Sequence, residues 1–156
     1  MLTINIVCIG KIKEKFFKDA IDEYSKRLSK YCKLNIVELP DEKIPEKINT
    51  NIENDIKSKE CTNMINHIKK DSYIICLDLN GKEFSSEQFS KKIEDISMES
   101  SQITFVIGGS LGLNQEILSL ANQKICFSKM TFPHQLIRVF VLEQIFRAFK
   151  ISSGET

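Results

Sequence analysis

The sequence lacks the features that mark membrane and secreted proteins. Its 156 residues contain no apolar run near the roughly 20 residues that cross a membrane. Residues 1–5 show no basic segment leading into an apolar one, so no signal peptide is predicted. No stretch rich in Pro, Gly or Ser divides the chain. These absences favour one cytoplasmic domain over residues 1–156, long enough to bury a hydrophobic core.

The spacings that mark zinc sites and redox motifs are also missing. None of the five cysteines has a partner at CxxC spacing, and His67 and His134 share no ligand spacing with them. An odd, dispersed set of cysteines is typical of free thiols in a reducing compartment, where Cys acts as a small hydrophobe. The sequence therefore predicts no disulfide and no metal site.

Motifs of several enzyme classes are absent as well. Gly108, Gly109 and Gly112 do not have GxGxxG spacing, and no Walker-type GK[ST] follows them. No Ser lies in GxSxG, and no Cys has a His close by in the sequence. Nucleophilic catalysis therefore has no support from the pattern.

Charge is nearly balanced over the chain but unevenly placed. The formal net charge is +1. Residues 1–40 hold eight Lys/Arg against five Asp/Glu, and residues 126–151 hold four against one, so each segment carries +3. Solvated surface faces account for this pattern most simply. If an anionic polymer binds, we expect it to contact these two basic segments.

Apolar strand-like segments alternate with helical patterns along the chain. This alternation predicts an α/β protein with a mostly parallel sheet of five to six strands and helices on both faces. Ligands of such sheets bind at the carboxyl ends of the strands. A flavodoxin-like mononucleotide binder also fits the alternation, although a phosphate loop is missing. The predicted strands are 4–9, 34–39, 73–79, 103–107 and 124–127, with a turn at Asn80-Gly81, and the predicted helices are 14–32, 52–68, 85–96, 114–121 and 133–150.

Two loops at predicted strand ends form the candidate ligand site. One begins with Gly108-Gly109, which is typical of a tight turn with φ > 0 and also leaves the backbone open to a ligand. The other runs from Phe127 to Pro133, which is predicted to open the last helix. His134 is a candidate proton acceptor. Arg138, one turn later on the same face, is a candidate for binding a phosphate or for pairing with a carboxylate in a structural role.

The last predicted helix is apolar around most of its circumference, whereas a surface helix needs only one apolar stripe. Enclosure in the core of its own domain is one explanation. We favour one face on the sheet and the other on a partner subunit, which predicts a homodimer. The apolar residues are Leu136, Ile137, Val139, Phe140, Val141, Leu142, Ile145, Phe146, Ala148 and Phe149.

Several segments, in order along nearly the whole chain, resemble the RlmH family of SPOUT methyltransferases. The family methylates a pseudouridine of large-subunit ribosomal RNA. Because the match extends over so many segments, it is more specific than any single motif. The segments are residues 6–17, Val37-Glu38 before Pro40, residues 77–82, 105–110, 127–134 and 144–150.

The resemblance implies a homodimer with a C-terminal trefoil knot, expected within about residues 73–151; threaded chains are rare, and alternation alone does not suggest one. It also implies S-adenosylmethionine (SAM) as methyl donor. The implied target is N3 of a pseudouridine in helix 69 of 23S rRNA, in assembled ribosomes. The implied SAM-binding residues are Leu77, Gly108, Gly109, Phe127, Ser128, Lys129, Met130, Thr131 and Phe132.

On this resemblance, His134 is the candidate base that takes the N3 proton, and Arg138 is a candidate for orienting a phosphate or a base carbonyl. Family members usually carry a further His in a short tail with Tyr and a basic residue, beyond the Gly-Glu step matched by Gly154-Glu155. If that His is needed, a chain without the tail is expected to be impaired. The alternative function is therefore an inactive, dimeric SAM-binding knot protein that binds ribosomes without methylating them.

Overall fold

Five strands alternate with five helices in the computed structural model, which describes residues 1–155 of the chain. The strands are β1 (Leu2–Ile9), β2 (Cys32–Leu39), β3 (Tyr73–Lys82), β4 (Gln102–Ile107) and β5 (Gln123–Ile125). The helices are α1 (Lys15–Leu28), α2 (Thr50–Asn66), α3 (Ser86–Glu99), α4 (Gln115–Leu118) and α5 (His134–Ser152).

The strands form one parallel sheet in the order β2-β1-β4-β3-β5. This arrangement confirms the predicted α/β class and parallel sheet. The central strands β1 and β4 are buried over most of their length, as their apolar sequences require. Because all strands run in one direction, their carboxyl ends meet at one edge of the sheet. The trefoil knot and its bounds stay predictions.

Helices cover both faces of the sheet, because side chains of a strand point alternately to opposite faces. Ile4, Ile6 and Cys8 of β1 pack with α1, α3 and α5, whereas Val7 and Ile9 pack with α2 and α4. Helix α5 contacts both α3 and α1. It buries a row at helical spacing, formed by Arg138, Val141, Leu142, Ile145 and Ala148.

The predicted turn at Asn80-Gly81 is wrong, because β3 continues through both residues to Lys82. A register shift lets Ile125 of β5 pair with both Leu77 and Lys82. Gly81 is needed there for close approach, since a Cβ on it would lie 2.7 Å from the backbone of Ile125. The Asn-Gly pair therefore belongs to an irregular strand edge.

Several helix ends also differ from the predicted bounds. Helix α1 ends at Leu28 and not at Cys32, because Cys32 pairs with Leu2 as the first residue of β2. Pro133 is the N-cap residue of α5, so the first helical residue is His134 and not Pro133. The predicted start of α3 is confirmed, because Ser85 and Gln88 form a capping box there. Helix α4 ends at Leu118 rather than residue 121, and β5 spans 123–125 rather than 124–127.

The five cysteines are free and buried, as predicted for small hydrophobes. Burial raises the pKa of Cys8 to about 11 and that of Cys76 to about 12. Their thiols therefore stay protonated at neutral pH, and a protonated thiol is a poor nucleophile.

Candidate functional site

A cleft of about 560 Å³ opens at the carboxyl ends of β3, β4 and β5. This volume lies within the range of small-molecule sites, roughly 300–1,000 Å³. We call it the strand-end cleft. Its walls are formed by Lys57, residues 77–80, residues 107–113, residues 125–128, residues 130–134 and Ile137.

The loop after β4 closes on itself and forms one wall of the strand-end cleft. The backbone N–H of Gly112 donates to the carbonyl of Gly109 at 3.0 Å. A Cβ on Gly108 would lie 2.8 Å from the carbonyl carbon of Gly112, so this close approach requires glycine. The prediction of φ > 0 at Gly108-Gly109 is wrong for both residues, and the positive φ in this loop, 78°, occurs at Gly112.

The loop after β5 forms the opposite wall. Its backbone is held by short-range bonds: the Cys126 thiol donates to the carbonyl of Ser128 at 3.2 Å, and the Ser128 hydroxyl accepts from the N–H of Met130 at 3.0 Å. The Met130 side chain is 74% exposed. Phe127 packs inward against Phe89, with ring centroids 6.5 Å apart. The loop is thus ordered locally while much of its length faces the cleft and solvent.

His134 lies where the strand-end cleft meets a second cavity of about 420 Å³, which we call the side cavity. Its Nε2 is 3.2 Å from the place a Cβ on Gly10 would occupy, and Gly10 has a φ of 91°. Burial lowers the pKa of His134 below its usual 6.5, and the charge of Arg138 lowers it further, against an opposing effect of Asp41. The imidazole is therefore neutral at neutral pH and able to accept a proton.

Arg138 is buried behind this site, with a side chain only 1% exposed. One Nη donates to Glu38 at 2.8 Å, and the other donates to the carbonyls of Ile9 and Gly10 at 3.1 Å each. The same Glu38 oxygen accepts the N–H of Ile12 at 3.0 Å. Arg138, one turn after His134, thereby ties the N-terminal part of α5 to the carboxyl ends of β1 and β2. This is the structural pairing that the sequence left open as an alternative to phosphate binding.

The strand-end cleft gathers most of the residues that the sequence singled out. Of the nine predicted cofactor-binding residues, the cleft brings eight together, and His134 joins them. Lys129 is exposed and does not line the cleft. Arg138 does not line it either. The eight are Leu77, Gly108, Gly109, Phe127, Ser128, Met130, Thr131 and Phe132.

Sequence reasoning missed several residues at the two cavities. Asp78 and Asn80 line the strand-end cleft, but the predicted turn placed Asn80 outside the strand. Lys57 and Glu60 reach the two cavities from α2, whose polar sequence gave no sign of a buried functional face. The only available signal was Asp78 itself, a carboxylate near the end of an apolar strand.

Other site types find no support in the part of the chain that the structure describes. Residues 1–155 contain no group of three or more His, Cys, Asp or Glu placed to hold a metal ion. None of the five helices combines the length and apolar character needed to cross a membrane.

Comparison with known proteins gives a match over almost the whole chain. The family model described as "Predicted SPOUT methyltransferase" matches residues 2–156. The "Ribosomal RNA large subunit methyltransferase H" of Clostridium acetobutylicum is 57% identical over 155 residues, covering 99% of this chain and 98% of that protein. Proteins of the same name from Clostridium botulinum strain 657 and Clostridium novyi strain NT are 60% and 57% identical, with the same coverage.

Proposed function

This chain belongs to the RlmH family of SPOUT methyltransferases, and we propose that it transfers a methyl group from SAM to large-subunit ribosomal RNA. The proposed target is N3 of a pseudouridine in helix 69 of 23S rRNA, within assembled ribosomes. The observation that carries the proposal is the strand-end cleft, which places eight of the nine residues implied for SAM around one space beside a neutral His134.

The residues of the cleft fit SAM in shape and in charge. Gly108 lets the loop after β4 pack tightly at one wall, since a Cβ there would collide with the backbone of Gly112. Leu77, Ile125 and Phe127 offer apolar surface for the adenine ring, and Asp78 offers a carboxylate for ribose hydroxyls or the amino group. Among the described residues, Lys57 is the only Lys or Arg that lines the cleft, so a positively charged ligand is not repelled strongly.

We propose that these residues hold SAM together with Gly109, Ser128, Met130, Thr131 and Phe132. Lys129 is left out of this set, because it does not line the cleft. When bound, SAM supplies a methyl group activated by a positively charged sulfur, so the chain needs neither a metal nor a covalent nucleophile. The cleft residues orient the reactants and exclude water, which can lower a barrier by about 7–11 kcal/mol.

His134 is the proposed base for the proton on N3. Its imidazole is neutral, partly buried and at the junction of the strand-end cleft and the side cavity. A positioned base of this kind contributes roughly 10²–10⁴-fold to a rate. Arg138 acts as a positioning residue. It donates to the carbonyl of Gly10 and so holds the start of α5, which carries His134, against β1.

We further propose that residues 1–156 form one domain, knotted within about 73–151, and that two copies form a dimer through the outer side of α5. Exposed apolar side chains lie together on that side: Phe132 and Phe140 are each 37% exposed, and their rings meet at 5.4 Å. Apolar side chains exposed together on one side are typical of surfaces that contact a partner.

The test incubates labelled SAM with ribosomes from a strain that lacks this protein. We expect label in 23S rRNA, at a pseudouridine of helix 69. Absence of label, with a folded preparation that still binds SAM in calorimetry, would contradict the enzyme and favour the inactive SAM-binding protein. Binding of a flavin instead of SAM would favour the flavodoxin-like alternative.

A further inference from the structure

The side cavity has no role in the proposed binding of SAM, yet it adjoins the strand-end cleft. The two cavities share Gly109, Ser110 and His134. A group bound in the side cavity would therefore meet a group bound in the cleft beside the imidazole. Its walls are Ile9, Asp41, Glu42, Lys43, Ile44, Glu60, Gly109, Ser110 and His134.

Glu60 is the most unusual wall residue, because it is a carboxylate with only 6% of its surface exposed. Its Oε2 accepts the backbone N–H of Glu42 at 3.0 Å. Its Oε1 has no hydrogen-bond donor among the described residues and is not sealed from the cavity. Because this oxygen opens on the cavity and has a free acceptor position, it can accept a hydrogen bond from a ligand that brings a donor.

The surrounding charges disfavour an anionic occupant. Asp41, Glu42 and Glu60 line the cavity against the single cation Lys43. Burial raises the pKa of Glu60, as do the charges of Asp41 and Glu42, while the Glu42 N–H lowers it. A second N–H donor would stabilise the charged carboxylate further. The cavity thus suits a neutral ring with N–H groups and disfavours a phosphate.

We infer that the side cavity receives the target pyrimidine, flipped out of the RNA, and that Glu60 accepts the N1–H of pseudouridine and so selects it over uridine. The inference rests on the proposed function. Enzymes that modify bases read the extruded base by hydrogen bonds and by contact with apolar side chains, which the exposed Ile44 supplies here.

The chemistry of the two bases explains the selectivity. In pseudouridine both ring nitrogens carry protons and flank one carbonyl, so N1–H is free to donate when N3 faces the methyl donor. In uridine N1 is bonded to the sugar and carries no proton. Uridine would leave Oε1 of Glu60 without a donor, and sites built to hydrogen-bond a group reject analogues that lack it.

Glu60 also anchors the loop at Glu42, and the experiment must separate this structural role from base selection. The variant Glu60→Gln keeps an oxygen for the Glu42 N–H but turns an NH₂ donor toward the cavity. The control Asp55→Asn makes the same carboxylate-to-amide change on α2, at an exposed residue paired with Lys59 at 3.5 Å.

Methylation rates are measured on two ribosome preparations, with pseudouridine or uridine at the target, the second from a strain lacking the enzyme that forms this pseudouridine. For Glu60→Gln we expect the ratio of the two rates to fall at least about tenfold, the effect of one charged hydrogen bond. SAM affinity in calorimetry stays unchanged, and Asp55→Asn keeps the wild-type ratio.

If the ratio of the two rates is unchanged in Glu60→Gln, whether or not both rates fall, Glu60 only anchors the loop and the inference is overturned. A wild-type protein that methylates both preparations equally would also overturn it. A wild-type protein that methylates neither preparation contradicts the proposed function itself.

Discussion

At the scale of single residues, the candidate site depends on contacts between residues far apart in the chain. The imidazole of His134 lies against Gly10, and Arg138 binds Glu38 across 100 residues of sequence. The residue types were visible in the sequence, which marked both His134 and Arg138. Their partners were not, because a side chain's neighbours follow from how the strands and helices pack.

Replacing Gly10 tests whether the imidazole needs this close contact. Gly10→Ala places a Cβ 3.2 Å from Nε2 of His134 on a residue with φ of 91°. We expect a loss of about 1–2 kcal/mol in the free energy of unfolding from backbone strain. We also expect a fall of roughly 10²-fold in methylation rate, because the base is displaced.

The matched control is Gly154→Ala, which imposes similar strain at φ of 73° but meets no atom within 4 Å. It is expected to lower the unfolding free energy alone, in denaturant titrations, without lowering the rate. Equal rates for the two variants would show that the contact between Gly10 and His134 has no part in catalysis.

The lowered pKa of His134 predicts a pH profile. Because the pKa of His134 lies below 6.5, most of the imidazole is neutral at any pH above 6.5. The methylation rate is therefore level at neutral pH. It drops only below pH 6.5, as the imidazole takes up a proton. The other charged groups facing it are Arg138 and, across the side cavity, Asp41, Glu42, Lys43 and Glu60.

Asp41→Asn sharpens this prediction, because the Asp41 charge raises the pKa of His134. We expect the acid limb of the variant to move to lower pH in initial-rate measurements. A limb that stays in place, or a wild-type limb centred above 6.5, would assign the titration to another group.

Arg138→Lys tests the structural role of the buried guanidinium. Lys keeps the charge but cannot serve Glu38 and the carbonyls of Ile9 and Gly10 together. We expect a loss of about 1–3 kcal/mol in the free energy of unfolding by urea titration. Arg147→Lys, at an exposed pair with Glu143, is the control and should cost under about 1 kcal/mol. Similar losses for both variants would contradict the structural role.

At the scale of helices and strands, hydrophobic periodicity predicted correctly which segments are helices and which are strands, but often not the residue at which each one ends. The capping box at Ser85 confirmed one helix start to the residue, because capping depends on local side-chain bonds. The Asn80-Gly81 pair gave a wrong prediction of a turn. Its glycine is needed because the backbone of β5 packs closely against it, a contact between distant segments that no local pattern reveals. Likewise, Cys32 was predicted to lie in helix α1 but pairs with Leu2 in the sheet.

The outer side of α5 carries the prediction of a dimer. Phe140→Asp places a charge on the apolar patch with Phe132, and burial of each such side chain contributes about 1.5–3 kcal/mol before association costs. We expect light scattering to give a dimer for the wild-type protein and the monomer mass of 17.9 kDa for the variant.

The control for this prediction is Phe16→Asp on α1, where Phe16 is 66% exposed and its ring pairs with Phe17 and not with Phe132 or Phe140. It should remain a dimer at the same concentration. A wild-type mass near 17.9 kDa at micromolar concentration would refute the dimer.

At the scale of the whole molecule, the fold joins features that the sequence keeps apart. Helices α1 and α5 pack together, so the basic segments 1–40 and 126–151 become neighbours. The sheet order brings the ends of β1, β4, β3 and β5 to one edge, with the strand-end cleft across it. The two basic segments that we predict to contact an anionic polymer thus lie side by side in the fold.

The sequence by itself determined the α/β class, the parallel sheet and the family, and it singled out eight cofactor-binding candidates and His134 that line the strand-end cleft. The class and the sheet follow from periodicity, which neighbouring residues carry, whereas the family and the cofactor-binding candidates follow from the resemblance of several segments along the chain. Only the tertiary structure showed that Arg138 donates to the end of β1 and that Glu60 lines a second cavity. It also showed that Gly108 and Gly81 allow two backbone segments to approach each other closely. Such contacts join distant segments, and packing creates them only when the sheet and helices have assembled.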